Sequence, residues 1–103
     1  MLTLGELKNL VKRRRYRFSL HGEQEREADQ ITVDEFEEAM TSPKAEILES
    51  YPNDPRGPSC LVLGFTETGQ PIHAVCGRQE EQLIVITIYR PSPQEWMQWR
   101  KRR

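Results

Sequence analysis

Long apolar runs are missing from this chain of 103 residues. No segment approaches the ~20 consecutive apolar residues that a membrane-spanning helix needs, and the first residues lack the apolar core of a signal peptide. Cysteine is scarce as well, and both examples, Cys60 and Cys76, lie in apolar runs, which favours buried free thiols over disulfides. We therefore expect a single soluble domain over residues 1–103, in the reducing cytoplasm and without membrane contact.

Several motifs of well-known enzymes are also absent. The chain has no glycine-rich phosphate loop and no G-x-S-x-G turn of the kind that carries a nucleophilic serine. Its two histidines and two cysteines, at positions 21, 73, 60 and 76, match no compact zinc-binding pattern. We accordingly predict no metal site and no cofactor.

Charge of one sign is not in excess, because the formal net charge is only −1. The charges are nevertheless unevenly placed, with basic clusters at residues 12–17 and 100–103 and ten acidic residues between positions 23 and 49. Each basic cluster is a solvated surface, or else the two clusters meet in space and follow a phosphate backbone. Under the second interpretation the residues that contact RNA are Arg13, Arg14, Arg15, Arg90, Arg100 and Lys101.

Two capping boxes predict helices in the first half of the chain. Thr3 with Glu6 starts a helix over residues 3–14, and Thr32 with Glu35 starts one over residues 33–41. Residues 16–20 alternate and are either a short strand or a linker. Residues 21–30 are almost wholly polar, which is typical of a solvated helix or of one that presents side chains to a ligand.

Strand patterns follow at residues 45–51, 60–66, 71–77 and 83–90, separated by turn-forming residues. Ser92, Pro93 and Glu95 then form a strong helix-start signal. We predict an α+β domain in which N-terminal helices pack on one face of an antiparallel four-stranded meander sheet, followed by a C-terminal helix.

His73 interrupts an otherwise apolar strand. Its even-numbered neighbours at 72, 74 and 76 share the apolar face, so His73 is expected on the opposite, open face. If the isoleucines of the last strand form the core face, Thr87 and Tyr89 share the open face with His73. The group is then either a surface His beside a surface Tyr or a site that uses a side chain able to transfer protons near neutral pH.

His21 starts the polar segment, with Glu25 four residues later and Arg26 next to it. RNA can be cleaved without a metal when a base takes the 2′-hydroxyl proton, an acid protonates the leaving oxygen and a cation holds the phosphate charge. Two histidines and nearby arginines such as Arg26 and Arg90 provide these groups. Tyr89 is also suited to stacking on a base.

The ordered set of motifs between about residues 16 and 96 resembles the bacterial domain-of-unknown-function 4258 family. The motifs are Phe18-Ser-Leu-His21 with Glu25-Arg26, Ile31-Thr-Val-Asp-Glu35, Ile47-Leu-Glu-Ser-Tyr51-Pro, Ser59-Cys-Leu-Val-Leu-Gly64, Gly69-Gln-Pro-Ile-His73 and Ile86-Thr-Ile-Tyr89-Arg-Pro91. That family in turn resembles the RelE-like toxin superfamily, which includes the BrnT and MqsR toxins.

The resemblance implies a type II toxin that cleaves mRNA, with or without the ribosome, and that a small zinc-binding antitoxin neutralises. It also implies a site of His21, Arg26, His73, Thr87 and Tyr89. The rival hypothesis is a non-catalytic module of the same fold that binds a protein or RNA. In its favour are the near-neutral charge and the replacement of the family's second arginine around Asp29 and Gln30.

Overall fold

A computed structural model describes residues 2–103. The elements in chain order are α1 (Leu4–Lys12), β1 (Tyr16–Phe18), α2 (Leu20–Ala28), α3 (Val33–Met40), β2 (Glu46–Tyr51), β3 (Ser59–Phe65), β4 (Pro71–Gln79), β5 (Gln82–Tyr89), β6 (Trp96–Met97) and β7 (Lys101–Arg102). The chain is therefore α+β, with its helices ahead of most of its strands. No helix within residues 2–103 has the length and apolar character needed to cross a membrane.

Five strands form a mixed sheet in the order β1-β5-β4-β3-β2, so the predicted four-stranded antiparallel meander is wrong. Strands β2 to β5 do pair antiparallel, but β1 adds a parallel partner to β5, with Tyr16 opposite Leu83 and Phe18 opposite Val85. β1 joins the sheet because Tyr16 and Phe18 pack against the apolar core beside Phe36. The sequence pattern of residues 16–20 was compatible with either a strand or a linker, and the structure shows a strand at Tyr16–Phe18.

The predicted C-terminal helix is also wrong. Ser92 starts only one turn, in which its carbonyl accepts hydrogen bonds from the backbone amides of Glu95 and Trp96. The chain then forms the two-stranded sheet β6–β7, with Gln98 and Trp99 in the left-handed region at its turn. This hairpin lets Trp96 bury its ring, whereas a helix with so many basic residues has little apolar surface to pack.

Helices α1 and α3 cover one face of the sheet and begin at the predicted capping boxes. The core between them and the sheet contains Leu7, Leu10, Val11, Ile31, Phe36, Ala39, Met40, Cys60, Val62, Ile72, Ala74, Cys76, Leu83, Val85 and Ile88. Both cysteines are buried and free, as predicted. Burial raises the pKa of the Cys60 thiol to about 11, so this thiol is protonated at neutral pH.

A β-bulge in β5 overturns the predicted core face of that strand. Val75 lies opposite Thr87 but Cys76 lies opposite Val85, so Ile86 is an extra residue between them. Leu83, Val85 and Ile88 consequently face the helices, although their numbers differ in parity. Ile84 and Ile86, which had been predicted to face the core, lie on the other face of the sheet.

Helix α2 runs along the edge of β5 rather than over the sheet. The Ser19 hydroxyl donates to the Ile86 carbonyl at 3.0 Å, and the Ile88 amide donates to a Glu25 carboxylate oxygen at 3.1 Å. These bonds satisfy backbone groups of β5 beyond the short β1 pairing. Gly22 is required at this contact, because a Cβ there would lie too close to the Val85 carbonyl oxygen.

Candidate nucleic-acid interface

The face of the five-stranded sheet that is turned away from α1 and α3, here called the distal face, carries the residues singled out in the sequence. His73 lies opposite Tyr89 on one side and Leu63 on the other. Val75 lies opposite Thr87 in the next row. Because directly opposed residues in antiparallel strands share a face, His73, Thr87 and Tyr89 lie on one surface, as the geometric prediction required.

His73 is fully buried on this face. Its Nε2 lies 2.7 Å from the Trp99 carbonyl oxygen, and its Nδ1 lies 3.0 Å from the Tyr89 hydroxyl oxygen. A carbonyl only accepts, so Nε2 carries the hydrogen and a neutral imidazole accepts from Tyr89 through Nδ1. Burial lowers the pKa of His73, which favours this neutral form. Both nitrogens are engaged within the protein.

The C-terminal segment, residues 91–103, is what buries His73. The Trp96 ring packs edge-on against the imidazole, with 4.4 Å between the ring centroids. Arg102 lies over the Trp96 ring and donates two hydrogen bonds of 3.1 Å to the Glu49 carboxylate. The prediction that His73 lies on an open face is therefore wrong, because no local sequence pattern indicates that residues 96–102 return to cover it.

Glu49 and Tyr51 belong to the same polar network and were not predicted. The Tyr51 hydroxyl donates to the Glu49 carboxylate. Hydrogen bonds from Arg102 and then from Tyr51 lower the pKa of Glu49, so it is ionised at neutral pH. Nothing in the local pattern of β2 distinguishes these residues from other exposed strand residues, because their partner is about 50 residues away in the chain.

A groove of about 460 Å³ opens beside this network, where β5 passes α2 and the turn before β3. Ile84 and Ile86 provide an apolar wall on the distal face. Basic side chains from separate parts of the chain surround it, namely Arg17, His21, Arg56 and Arg78. Sequence analysis selected only His21 among these four, since only the folded sheet brings the arginines together.

His21 is the accessible histidine of the molecule. Its side chain is 64% exposed, and its Nε2 lies 3.3 Å from a Glu25 oxygen. The same Glu25 oxygen accepts the Ile88 amide, so the carboxylate that orients the imidazole is itself fixed to β5. This arrangement leaves the other ring nitrogen of His21 available at the groove.

The arginines of the groove differ in their partners. Arg17 donates to the Gln79 side-chain oxygen at 3.1 Å and has no ion pair among residues 2–103. Arg56 pairs with Asp54 through two hydrogen bonds of 3.1 Å. Arg78 pairs with Glu6 and Glu81. Arg17 is therefore the guanidinium of the groove with the most capacity to bind an added anion.

Arg26 and Arg90 use their donors inside the protein. Arg26 pairs with Glu23, donates to the Ile31 carbonyl at 2.9 Å and lies 5.2 Å from the Phe18 ring centroid. Arg90 donates to the Asp29 carbonyl at 3.0 Å and pairs with Glu35 at 3.0 Å. Both arginines tie the loop between α2 and α3 to its surroundings.

The remaining predicted RNA contacts fall into two separate places. Arg14 and Arg15 line a cavity of about 560 Å³ with Arg17 and residues 79–82, and Arg13 is the C-cap of α1. Arg100 pairs with Glu46 at 3.2 Å, and Lys101 is exposed in β7. The two basic clusters line different cavities.

The predicted site residues therefore divide into three groups. His73, Thr87 and Tyr89 lie under or beside the C-terminal segment, His21 lies in the groove, and Arg26 lies in an internal contact. His73 does not line the groove that contains His21. Within residues 2–103, no group of three or more His, Cys, Asp or Glu side chains is arranged to hold a metal ion.

Comparison with known proteins gives one match. No curated protein and no solved structure matches this chain. The sequence profile described as Domain of unknown function (DUF4258) matches residues 18–90, which include α2, α3, β2 to β5, the lining of the groove except Arg17, and the His73–Tyr89 pair. Because this match covers well over half of the 103 residues, the chain belongs to the DUF4258 family.

Proposed function

We propose that this protein binds single-stranded RNA in the groove of the distal face and cleaves it without a metal. The observation that carries the proposal is the exposed His21, which Glu25 orients at the mouth of a groove that also contains Arg17. Cleavage at a 2′-hydroxyl requires a base that removes the proton and a cation that stabilises the phosphoryl charge, and an accessible imidazole beside a guanidinium provides both.

The lining of the groove supports a single-stranded substrate. Ile84 and Ile86 form an apolar wall on which an unpaired base can lie, while Arg17 and Arg78 provide positive charge for phosphates. The groove volume of about 460 Å³ is within the range of roughly 300–1,000 Å³ that is typical of small-ligand sites. A stacked base pair of a duplex does not present its face in this way.

The reaction balances with these groups. The free nitrogen of His21 takes the 2′-hydroxyl proton, and the 2′-oxygen attacks the adjacent phosphorus. The bond from phosphorus to the 5′-oxygen breaks, and water protonates that oxygen. The products are a 2′,3′-cyclic phosphate and a 5′-hydroxyl end, and Arg17 stabilises the charge on the phosphoryl oxygens during the attack.

The biological setting of this proposal is a type II toxin. The resemblance of the family to RelE-like toxins supports mRNA as the substrate, free or on the ribosome, and a small zinc-binding antitoxin as the partner. Expression of the chain without such a partner is then expected to arrest bacterial growth. The His21→Asn variant is expected to relieve the arrest.

The direct test is cleavage of a fluorescent single-stranded RNA by the purified protein in the presence of a chelator. We expect a 2′,3′-cyclic phosphate product, and a loss of about 100-fold or more in rate for His21→Asn, as is usual when a general base is removed. Glu27→Gln, a change of an exposed residue on the same helix, is the control and should leave the rate unchanged.

A non-catalytic binding module is the second candidate, and one observation favours it. The nitrogens of His73 and the donors of Arg26 and Arg90 are all committed to contacts within the protein. RNA binding without cleavage by the wild-type chain would replace the nuclease proposal with this one, whereas cleavage that persists in His21→Asn would rule out His21 as the general base.

A further inference from the structure

The C-terminal segment, residues 91–103, seals part of the distal face. Trp96 is only 4% exposed and packs on His73, and Arg100 and Arg102 reach Glu46 and Glu49 on β2. Leu63 lies in register between Glu46 and His73 and is fully buried, although it faces away from α1 and α3. The segment therefore covers a strip of the sheet that would otherwise be open.

This cover is held on the sheet by side-chain contacts and not by strand pairing. Within residues 2–103, its backbone hydrogen bonds run only between residues of the segment, apart from the Trp99 carbonyl that accepts from His73. The remaining attachments are the buried side chains of Pro91 and Trp96 and two ion pairs. It can consequently leave the distal face without breaking any strand pairing.

Both ion pairs are of a kind that a polyanion can displace. Arg100 and Glu46 are each 41% exposed, and Arg102 is 62% exposed at its contact with Glu49. Exposed pairs of this type contribute little and weaken in the presence of competing charge. Phosphates of a bound strand would offer the same guanidinium groups an alternative set of acceptors.

We propose that residues 91–103 form a displaceable cover, which single-stranded RNA lifts by drawing its arginines away from Glu46 and Glu49. This inference rests on the proposed RNA binding and adds its regulation. Lifting the cover exposes His73 and Tyr89 and extends the binding surface from the groove along the distal face. Because the coupling is reciprocal, any change that loosens the cover must tighten RNA binding.

The tryptophans allow a direct test, because the chain has only two and both, Trp96 and Trp99, are in the cover. The probe is a fluorescein-labelled oligouridylate of about 12 nucleotides, a length suited to a single-strand groove. Acrylamide quenching of tryptophan, with unlabelled RNA of the same sequence, reports whether the cover has opened. Fluorescence anisotropy reports the affinity for the labelled strand.

The variant is Glu46→Gln with Glu49→Gln, and its charge-matched control is Glu27→Gln with Glu67→Gln, two exposed glutamates outside ion pairs within residues 2–103. We expect the first double variant to bind RNA about three- to tenfold more tightly than the control, since two weak pairs no longer oppose opening. Its tryptophans should be more accessible even without RNA. His73→Phe, which removes the hydrogen bond to Trp99, should also increase quenching without altering charge at neutral pH.

The outcomes separate this inference from the proposed function. RNA that binds all variants equally, with unchanged tryptophan quenching, overturns the cover and leaves the RNA-binding groove intact. Failure of every variant, including Glu46→Gln with Glu49→Gln, to bind the RNA overturns both. Tight binding by the uncovered variants alone would support the cover as a block on the wild-type chain.

Discussion

The two faces of the five-stranded sheet are built in different ways. On the face covered by α1 and α3, close-packed apolar side chains such as Phe36, Met40 and Val62 exclude water completely. On the distal face, a buried histidine, two tyrosines and exposed ion pairs hold a segment that has no strand pairing with the sheet. The comparison suggests that the first face provides the stability of the fold, whereas the second is free to change its contacts.

The difference also explains where a ligand is expected. The close-packed side chains under α1 and α3 stabilise the fold through contacts that a movement of either helix would break. This face is therefore poorly suited to a functional rearrangement. The distal face keeps its polar groups satisfied through partners that phosphates or water can replace. A binding surface and a movable segment are therefore both placed on the side of the sheet that contributes less to the core.

The largest expected effect is on the helix-covered face. Phe36→Ala removes a fully buried ring that contacts Tyr16 and Phe18. We expect the free energy of unfolding to fall by about 3–5 kcal/mol, as for other buried aromatic truncations. Urea denaturation measures it. The control Leu20→Ala removes a side chain that is 78% exposed beside the groove, and should change stability by no more than about 0.5 kcal/mol.

The next effect tests how closely α3 approaches the sheet. A Cβ at Gly64 would overlap the backbone of Ala39, which cannot move without shifting the helix. Gly64→Ala should lower the free energy of unfolding by about 3 kcal/mol, toward the upper end of overpacking effects. Gly5→Ala, in α1 with open space around its Cβ, is the matched control and should be neutral or slightly stabilising. Equal stability of the two variants would mean that α3 lies farther from β3.

A smaller effect, about 1–3 kcal/mol, is expected from His73→Phe on the distal face, because it leaves the Trp99 carbonyl and the Tyr89 hydroxyl without their partner. Its pH dependence is more informative. Burial lowers the pKa of His73, so protons bind the unfolded chain more readily. The contribution of His73 is complete above about pH 6.5 and declines as the pH falls toward the lower folded-state pKa.

Urea titrations of wild type and His73→Phe across this range measure that decline. The stability difference between the two proteins should shrink as the medium becomes more acidic. Glu35 and Asp54 also have lowered pKa values, but their contributions are the same in both proteins and cancel in this difference. A difference that stays constant with pH would indicate that His73 is exposed to solvent in the folded protein.

Sequence patterns predicted the helix-covered face much better than the distal face. Capping boxes at Thr3 and Thr32 located α1 and α3, because these signals act within a few residues. Alternation located β2 to β5, but the bulge at Ile86 reversed the parity within β5, and no local pattern marks it. The parallel pairing of β1 depends on a contact between positions 16 and 83, which local reasoning does not reach.

The candidate site was predictable only in part, for the same reason. His73 and Tyr89 were placed together because strand register is short-range information. The groove was not predicted because Arg17, Arg56 and Arg78 come from β1, the turn before β3 and β4, which only the tertiary structure brings together. Arg26 and Arg90, in contrast, were predicted to bind phosphate but make internal contacts that stabilise the loop after α2.

The measurement that tests the central claim most directly is an amide chemical-shift titration of the uniformly ¹⁵N-labelled protein with a single-stranded RNA. Binding in the groove predicts progressive shifts at residues 17–22, 56–58 and 77–86, and lifting of the cover predicts further shifts at residues 91–103. Shifts confined to the acidic surface of α3, or none at all, would contradict the assignment of the distal face as the RNA-binding surface.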